Sequence, residues 1–257
     1  MTDTILSING LNVNFGTFRA VDDLSFDVRL GSITGLIGPN GAGKTTLFNA
    51  ITGSCRPSVG KVSLSGADVT GLSPESLFVM GLGRTFQIPR PFSRMSVLEN
   101  VMLAPLGQIG ERLQGPFLSR RAMSAQESSI RNRAMEVLEF MTLAELADHP
   151  AGKISGGQMK LLELARLLMG DPQIILLDEP AAGINPKLAR TLIERIEELN
   201  QLGKTFLIIE HDMDFIMHHC DPIIALAQGR LVFEGTAEEA QSNEILLKAY
   251  LGASNDD

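Results

Sequence analysis

One segment constrains the fold more than any other, the octapeptide at positions 38–45, which reads GPNGAGKT. It matches the pattern G-x-x-x-x-G-K-[ST] and lies between the short apolar run at 33–37 and a stretch with apolar residues at helical spacing. Glycines let the backbone curl so that successive N–H groups point at phosphate oxygens, and the N-terminus of the helix adds partial positive charge. The segment therefore predicts a phosphate-binding loop between a strand and a helix.

Two side chains of this loop have predicted chemical roles. Lys44 would neutralise the β- and γ-phosphates of a nucleotide, and Thr45 would offer its hydroxyl to Mg²⁺. The alternative is a glycine-rich turn that happens to end in Lys-Thr, and an acidic segment farther along the chain argues against it. The residues predicted to bind the nucleotide here are Gly38, Pro39, Asn40, Gly41, Ala42, Gly43, Lys44, Thr45 and Thr46.

The acidic segment follows the apolar run at 174–177, which is directly succeeded by Asp178 and Glu179. Open α/β sheets hold their ligands at the carboxyl ends of the strands. We predict that Asp178 binds Mg²⁺ through water and that Glu179 polarises the water that attacks the γ-phosphate. The structural alternative is an Asp-Glu pair that only stabilises a helix N-terminus. Together with the phosphate loop, this segment predicts a nucleoside triphosphatase.

The remaining patterns predict the architecture around these segments. Positions 11–30 alternate with period two, which predicts half-buried antiparallel strands, and the alternation resumes at 62–66. From 154 onward helices, one of them at 188–202, alternate with buried strands at 174–177 and 205–209, which predicts a parallel sheet. The apolar face of the first two strands would hold Leu11, Val13, Phe15, Leu24, Phe26, Val28 and Leu30.

The stretch at about 89–150 differs from its surroundings. Prolines and glycines interrupt its first part, and an apolar stripe at helical spacing follows. The fold class predicted for the chain is α/β, with a phosphate-loop NTPase core and mainly parallel sheet, an N-terminal antiparallel β layer and an inserted α-helical subdomain. The stripe consists of Ile130, Ala134, Val137, Leu138 and Met141.

Composition excludes several classes of function. The 22 Lys+Arg and 30 Asp+Glu give a formal net charge of −8 at pH 7 without any basic block, which argues against a nucleic-acid partner. The longest apolar runs are far shorter than the roughly 20 residues of a membrane-spanning helix. The N-terminus lacks a signal-peptide pattern, and Cys55 and Cys220 make no disulfide framework. We expect a cytoplasmic protein.

The segment ISGGQM at 154–159 discriminates among phosphate-loop proteins, because it resembles the signature of ATP-binding cassette (ABC) ATPases. The resemblance covers nearly the whole chain and implies a single domain at 1–257. In that domain 1–88 and 160–257 form the core, and 89–159 form the helical subdomain with the signature at its end. The elements that stand in the family's order are Phe15, the phosphate loop, Gln87, the signature, Asp178-Glu179 and His211.

The resemblance implies ATP as the nucleotide and adds site residues. Phe15 would stack on the adenine. Phe18 is the other candidate for this role, and Phe15 could instead be a residue of the hydrophobic core. Gln87 would touch Mg²⁺ and the attacking water, and His211 would hold the γ-phosphate. The signature residues that would contribute to ATP binding are Ser155, Gly156, Gly157 and Gln158.

The resemblance also implies partners. Two ATPase chains would sandwich ATP between Lys44 of one chain and Ser155 of the other. The second chain would be either a different ABC ATPase subunit or a second copy of this one. Two membrane permease subunits would dock near Gln87, which would make the protein peripheral on the inner face of the cell membrane. One departure from the family is Asn185, which replaces the usual aspartate in the segment that crosses the dimer interface.

Four segments resemble one branch, the ATPases of branched-chain amino acid importers: RTFQIPRPF at 84–92, EPAAG at 179–183, EHDM at 210–213 and AYLG at 249–252. This branch implies uptake of hydrophobic amino acids with an extracytoplasmic substrate-binding protein. Importers of urea or short amides use similar subunits and are one alternative. A non-transport ABC ATPase acting on nucleic acid or ribosomes is a weaker one, since such chains typically carry two cassettes, long coiled coils or basic arms.

Overall fold

The structure is a computed structural model that describes residues 3–85, 89–105, 120–243 and 246. Short 3₁₀ turns at Ala144–Leu146 and Ala151–Lys153 complete its regular elements. The strands are β1 Thr4–Phe15, β2 Phe18–Arg29, β3 Ile33–Ile37, β4 Val59–Leu64, β5 Ala67–Asp68, β6 Leu82–Arg84, β7 Ile174–Asp178, β8 Thr205–Ile209, β9 Ile223–Ala227 and β10 Arg230–Gly235. The helices are α1 Lys44–Ile51, α2 Pro74–Val79, α3 Val97–Met102, α4 Arg120–Phe140, α5 Gly156–Leu168, α6 Pro186–Gln201, α7 Met213–His219 and α8 Ala237–Ser242.

The chain divides into two compact units. The first consists of Met1–Arg84, Gln173–Ala182 and Glu197–Asp257, and the second of Thr85–Pro172 and Gly183–Ile196. The division predicted from the sequence, with a subdomain at 89–159, stays a prediction.

Both sheets belong to the first unit. A six-stranded sheet has the order β10-β9-β3-β8-β7-β6, in which all neighbours are parallel except the antiparallel pair of β9 and β10. A four-stranded antiparallel sheet has the order β2-β1-β4-β5. The predicted α/β class, with a mainly parallel sheet and an N-terminal antiparallel layer, is confirmed.

The parallel strands are short and mostly apolar because both faces of such a sheet are covered. All five residues of β7 and all five of β8 are buried. Carboxyl ends of parallel strands meet at one edge of the sheet. Four strands therefore deliver their next residues to this edge: β3 leads into the phosphate loop, β6 ends at Arg84, β7 ends at Asp178, and β8 precedes Glu210.

The antiparallel layer corrects two expectations about its apolar face. Phe15 and Leu30 were predicted to share that face, yet they are 57% and 58% exposed. Phe15 is the last residue of β1, and Leu30 lies just beyond the end of β2. Alternation with period two assigns a side chain to one face of the sheet, but it does not show how far along the strand that face is buried. The buried part of the face ends before Phe15 and Leu30.

The second unit is helical. In it α3 packs against α4 and α5, and α4 against α5. Ala134, Leu138 and Met141 of the predicted stripe are buried, whereas Ile130 and Val137 are half-buried. The helix predicted at 188–202 runs instead from Pro186 to Gln201. Among the helices of the described ranges, none is long and apolar enough to span a membrane.

Candidate functional site

The phosphate loop is fixed by its own backbone contacts. Gly43, the N-cap of α1, adopts φ 99°, and a Cβ there would collide with the carbonyl oxygen of Ala20, so only glycine fits. The N–H of Ala42 donates to the carbonyl of Pro39 at 3.1 Å, and the N–H of Gly229 donates to the carbonyl of Ala42 at 3.0 Å. The loop therefore keeps its shape before any ligand arrives.

Lys44 lies beneath this loop. Its side chain is buried, and Nζ donates to the carbonyl oxygens of Gly38 at 2.6 Å and Pro39 at 3.1 Å. Burial lowers the pKa of Lys44, while the nearby carboxylates of Glu179 and Asp178 oppose that shift. The ammonium group is thus held next to the loop and close to the acidic pair, where a phosphate could replace its two carbonyl partners.

Asp178 ends β7 with 4% of its surface exposed. Burial raises the pKa of its carboxyl group, and the guanidinium of Arg84, whose Nη2 donates to Oδ2 at 3.2 Å, opposes this. Thr45, the second residue of α1, is exposed. A hydroxyl and a carboxylate are hard oxygen donors of the kind that Mg²⁺ takes, so the chemistry of these two residues fits this ion.

Glu179 has an unusual backbone conformation for a residue with a side chain, φ 50°. Its N–H donates to the carbonyl of Ile209 at 2.9 Å, and its own carbonyl accepts from the N–H of Ala182 at 3.2 Å. These bonds hold a conformation that costs on the order of 1 kcal/mol. They turn the chain sharply after β7, so that Glu179 leaves the buried strand and becomes half-buried.

His211 meets this carboxylate. Nε2 of His211 lies 2.9 Å from Oε1 of Glu179, and the histidine side chain is 42% exposed. The two residues follow neighbouring parallel strands, which explains how positions far apart in the sequence come together. Of the residues predicted to act at the γ-phosphate, the structure brings Lys44, Glu179 and His211 to one edge of the sheet.

Glu210 is a residue that sequence reasoning missed. It is 3% exposed, its Oε1 accepts from the N–H of Ala181 at 2.8 Å, and its Oε2 accepts from the N–H of His211 at 3.2 Å. The carboxylate thus joins the turn after Glu179 to the backbone of His211. The available signal was an ionisable residue placed directly after a fully apolar strand.

The two candidate adenine-stacking residues form one end of a hairpin. Phe15 and Phe18 are paired at the ends of β1 and β2, and they are 57% and 63% exposed. The reading of Phe15 as a core residue is therefore wrong. Both rings are open to solvent, so the choice between them stays a prediction.

The signature lies in the second unit, where Ser155 is the N-cap of α5. Its Oγ accepts from the N–H of Gln158 at 3.3 Å, and its own N–H donates to Oε1 of Gln158 at 2.9 Å, which completes a capping box. Ser155 and Gly156 are exposed, whereas Gly157 is buried. A Cβ on Gly157 would approach Cδ1 of Leu188 to 2.7 Å, so glycine permits this helix start to pack closely.

Two further sequence predictions concern other positions. The side chain of Asn185 accepts from the N–H of Leu188 at 3.0 Å, as an N-cap of α6 does, so the amide that replaces the usual aspartate keeps a capping function. Gln87, predicted to touch Mg²⁺ and the attacking water, lies outside the described residues.

Comparisons with known proteins agree with this geometry. The family model described as ABC transporter matches residues 21–182. A probable branched-chain amino acid transport ATP-binding protein LivG from Archaeoglobus fulgidus is 41% identical over 251 residues, covering 98% of this chain and 96% of that protein. The high-affinity branched-chain amino acid transport ATP-binding protein LivG of Escherichia coli K12 is 39% identical over 253 residues, covering 98% and 99%. A solved ATP-binding cassette of an ABC transporter in its ADP conformation is 37% identical with a TM-score of 0.82, covering 97% and 99%.

Proposed function

Because the chain belongs to the ABC transporter family, we propose that it hydrolyses ATP at the edge of its parallel sheet to drive uptake of branched-chain amino acids. Membership makes the chain an ATPase subunit. The observation that carries the proposed site is the convergence of Lys44, Asp178, Glu179 and His211 in one unit, with His211 in direct contact with Glu179.

The binding step uses the phosphate loop. Backbone N–H groups at 38–46 cradle the phosphates, Lys44 neutralises the β- and γ-phosphates, and Phe15 stacks on the adenine. Thr45, Asp178 and Gln87 would hold Mg²⁺, with Asp178 acting through water. When bound, the ion neutralises charge that develops on the phosphate oxygens.

The hydrolytic step uses the two residues in contact. Glu179 accepts a proton from water as the water oxygen attacks the γ-phosphorus in line, and the bond to the ADP oxygen breaks. ADP and phosphate leave, and the proton passes from Glu179 to solvent. Before ATP binds, Nε2 of His211 donates to Oε1 of Glu179 in the 2.9 Å contact and keeps the carboxylate in place. With ATP bound, His211 holds the γ-phosphate.

The complete site contains two chains. Ser155, with the exposed N-terminus of α5, faces the phosphates bound by Lys44 of the second chain, either a different ABC ATPase or a second copy. ATP binding then favours the closed pair, and hydrolysis loosens it, because the signature contacts the γ-phosphate only in the closed state. Asn185 lies in the segment that crosses between the chains.

The transported substrate follows from the relatives, whose names give branched-chain amino acid transport. Two permease subunits dock near Gln87 and hold the protein on the inner face of the cell membrane, and a substrate-binding protein works outside. The ring of Phe92, which follows Gln87 by five positions in the chain, is 53% exposed and supports an apolar contact with the permeases.

The test is capture of the assembly with the Glu179→Gln variant, which should hold ATP without turnover. The variant is purified from native membranes with Mg-ATP, and the retained proteins are identified by mass spectrometry. We expect two integral membrane subunits and an ABC ATPase. The complex reconstituted with the wild-type chain should then carry labelled leucine rather than urea, in an ATP-dependent way. Retention of ribosomes or DNA without membrane proteins would contradict transport, and uptake of urea alone would contradict the substrate.

A further inference from the structure

Arg84 stands at the end of β6, and β6 neighbours β7, which ends at Asp178. The Arg84 side chain is 9% exposed and that of Asp178 is 4% exposed, so their ion pair is buried. Nη2 of Arg84 donates to Oδ2 of Asp178 at 3.2 Å. The guanidinium thus supplies the opposite charge that a carboxylate in this position requires.

The same guanidinium binds the helix that follows the phosphate loop. Nη1 donates to Oδ1 of Asn49 at 2.6 Å and to Oγ1 of Thr52 at 3.1 Å. The guanidinium carbon also lies 5.6 Å from the ring centroid of Phe48. Phe48 and Asn49 belong to α1, and Thr52 is its C-cap. One side chain therefore joins the carboxyl end of β7 to α1.

This link has a geometric consequence, because Thr45 lies in the first turn of α1. A helix is a rigid element, so a contact along it fixes the position of its other residues relative to the contact. Arg84 consequently sets the position of Asp178 relative to the helix that carries Thr45. These are two of the three residues in the magnesium site of the proposed function.

We propose that Arg84 is a positioning residue for the Mg²⁺ site. It holds the carboxylate of Asp178 against the helix of Thr45, so that one carboxylate oxygen and the Thr45 hydroxyl are in place for the ion. This inference rests on the proposed function, in which Asp178 and Thr45 hold Mg²⁺. Nη2 of Arg84 donates to Oδ2 of Asp178, which restricts the rotation of the carboxylate. The other oxygen, Oδ1, would then face the water through which Asp178 would hold the ion.

The residue type matters. Arginine carries a planar fork of donors, so one side chain can bind a carboxylate on one side and two oxygens of a helix on the other. A lysine at this position would keep the charge but could not hold all three partners in one fixed geometry. Methionine would keep much of the volume and lose both the charge and the donors.

The experiment measures metal and nucleotide binding separately, with Mn²⁺ as the probe. The Mn²⁺ affinity of the ATP-loaded protein is measured by electron paramagnetic resonance, and ATP affinity is measured in EDTA. The variants are Arg84→Met, Arg84→Lys and Asn49→Ala. The control is Arg230→Met, which removes an exposed arginine from an ion pair with Asp22, 2.6 Å between Nη2 and Oδ2.

Residues that orient metal ligands typically contribute about 10- to 100-fold to metal affinity, and we expect that loss for Arg84→Met. Arg84→Lys and Asn49→Ala should lose less, in the same direction, and Arg230→Met should match the wild type. ATP affinity in EDTA should change much less than Mn²⁺ affinity in all four, because backbone bonds of its own also hold the phosphate loop, among them that of the Ala42 N–H to the carbonyl of Pro39.

Three outcomes would overturn the inference. The first is that Arg84→Met binds Mn²⁺ as tightly as the wild type. The second is that Arg84→Met loses ATP affinity in EDTA by the same factor as it loses Mn²⁺ affinity. If circular dichroism shows that Arg84→Met does not fold, Asn49→Ala decides, and a wild-type Mn²⁺ affinity for Asn49→Ala contradicts the proposal. A wild type that binds ATP without any Mn²⁺ contradicts the proposed magnesium site itself, which is a different failure.

Discussion

Nε2 of His211 lies 2.9 Å from Oε1 of Glu179, although 32 positions separate the two residues in the chain. The contact places a residue predicted to bind the γ-phosphate against the residue predicted to activate water. Two groups in contact act as a unit, and their substitutions should not be additive.

We therefore expect a specific pattern in a double-mutant cycle. Glu179→Gln should lower kcat by about 10²- to 10⁴-fold, the range for loss of a general base. His211→Ala should also lower kcat, and the double variant should be little slower than Glu179→Gln alone. Steady-state ATPase assays measure all four forms, with His218→Ala as the control, since His218 is exposed and its Nδ1 contacts the carbonyl of Asp214. Fully additive effects would contradict a shared function.

Lys44→Ala should weaken ATP binding by about 10- to 100-fold, since hydrogen bonds to a charged group contribute about 1.5–3 kcal/mol. The reason is that Lys44 supplies the buried ammonium group beside the phosphate loop. Fluorescence titration with an ATP analogue measures the effect. Lys61→Ala is the matched control, because Lys61 is an exposed lysine of β4. Equal ATP affinity in both variants would contradict the assignment of the phosphate loop.

Phe15→Ala should raise the KM for ATP, whereas Phe18→Ala should leave it near the wild-type value. Both rings are exposed, so neither substitution opens a cavity in the core. Stacking of a base on an aromatic ring contributes about 1–3 kcal/mol, which corresponds to a change of roughly 5- to 150-fold. If Phe18→Ala alone raises KM, Phe18 is the stacking residue. If neither does, adenine is bound elsewhere.

Two leucines near β8 provide a test of the fold. Leu207 is fully buried in that strand, whereas Leu202, which precedes it, is 75% exposed. Leu207→Ala should lower the free energy of unfolding by about 2–5 kcal/mol, because it leaves a cavity in a packed core. Leu202→Ala should change it by less than about 0.5 kcal/mol. Urea unfolding followed by circular dichroism measures both, and similar effects of the two would contradict the placement of β8.

The cysteines should differ in reactivity. Burial raises the pKa of Cys220 to about 12, and Cys220 is 3% exposed, whereas Cys55 is only partly buried. Iodoacetamide at pH 8 should therefore modify Cys55 in the native protein and Cys220 only after unfolding, as mass spectrometry can establish. Fast labelling of Cys220 in the native state would contradict its burial.

The same shift predicts a dependence of stability on pH. The folded state keeps the Cys220 thiol protonated at pH values where the unfolded state ionises it, from about 9. Its contribution to the free energy of unfolding is complete below that pH and is lost as pH rises toward about 12. The stability of the wild type should fall more steeply above pH 9 than that of Cys220→Ala. Parallel curves would show that the thiol does not contribute.

Much of the fold was predictable because the decisive patterns are local. The strands Ile33–Ile37 and Thr205–Ile209 were predicted with the bounds that the structure has, since a strand covered on both faces is mostly apolar. The helix after Gly43 was predicted from the apolar residues at helical spacing that follow the phosphate loop. The point at which the apolar face of the antiparallel layer becomes exposed was not predictable, and Phe15 and Leu30 are exposed in the structure.

The sequence by itself determined which residues can carry the chemistry, because the loop at 38–45 and the carboxylates at 178 and 179 depend on local spacing and residue type. Only the tertiary structure decided which of them meet. The sheet order places β3 beside β8, and β7 between β8 and β6, so neighbours in space come from distant parts of the chain. The contact of His211 with Glu179 and that of Arg84 with Asp178 exist because parallel strands bring their carboxyl ends to one edge, whatever their separation in the sequence.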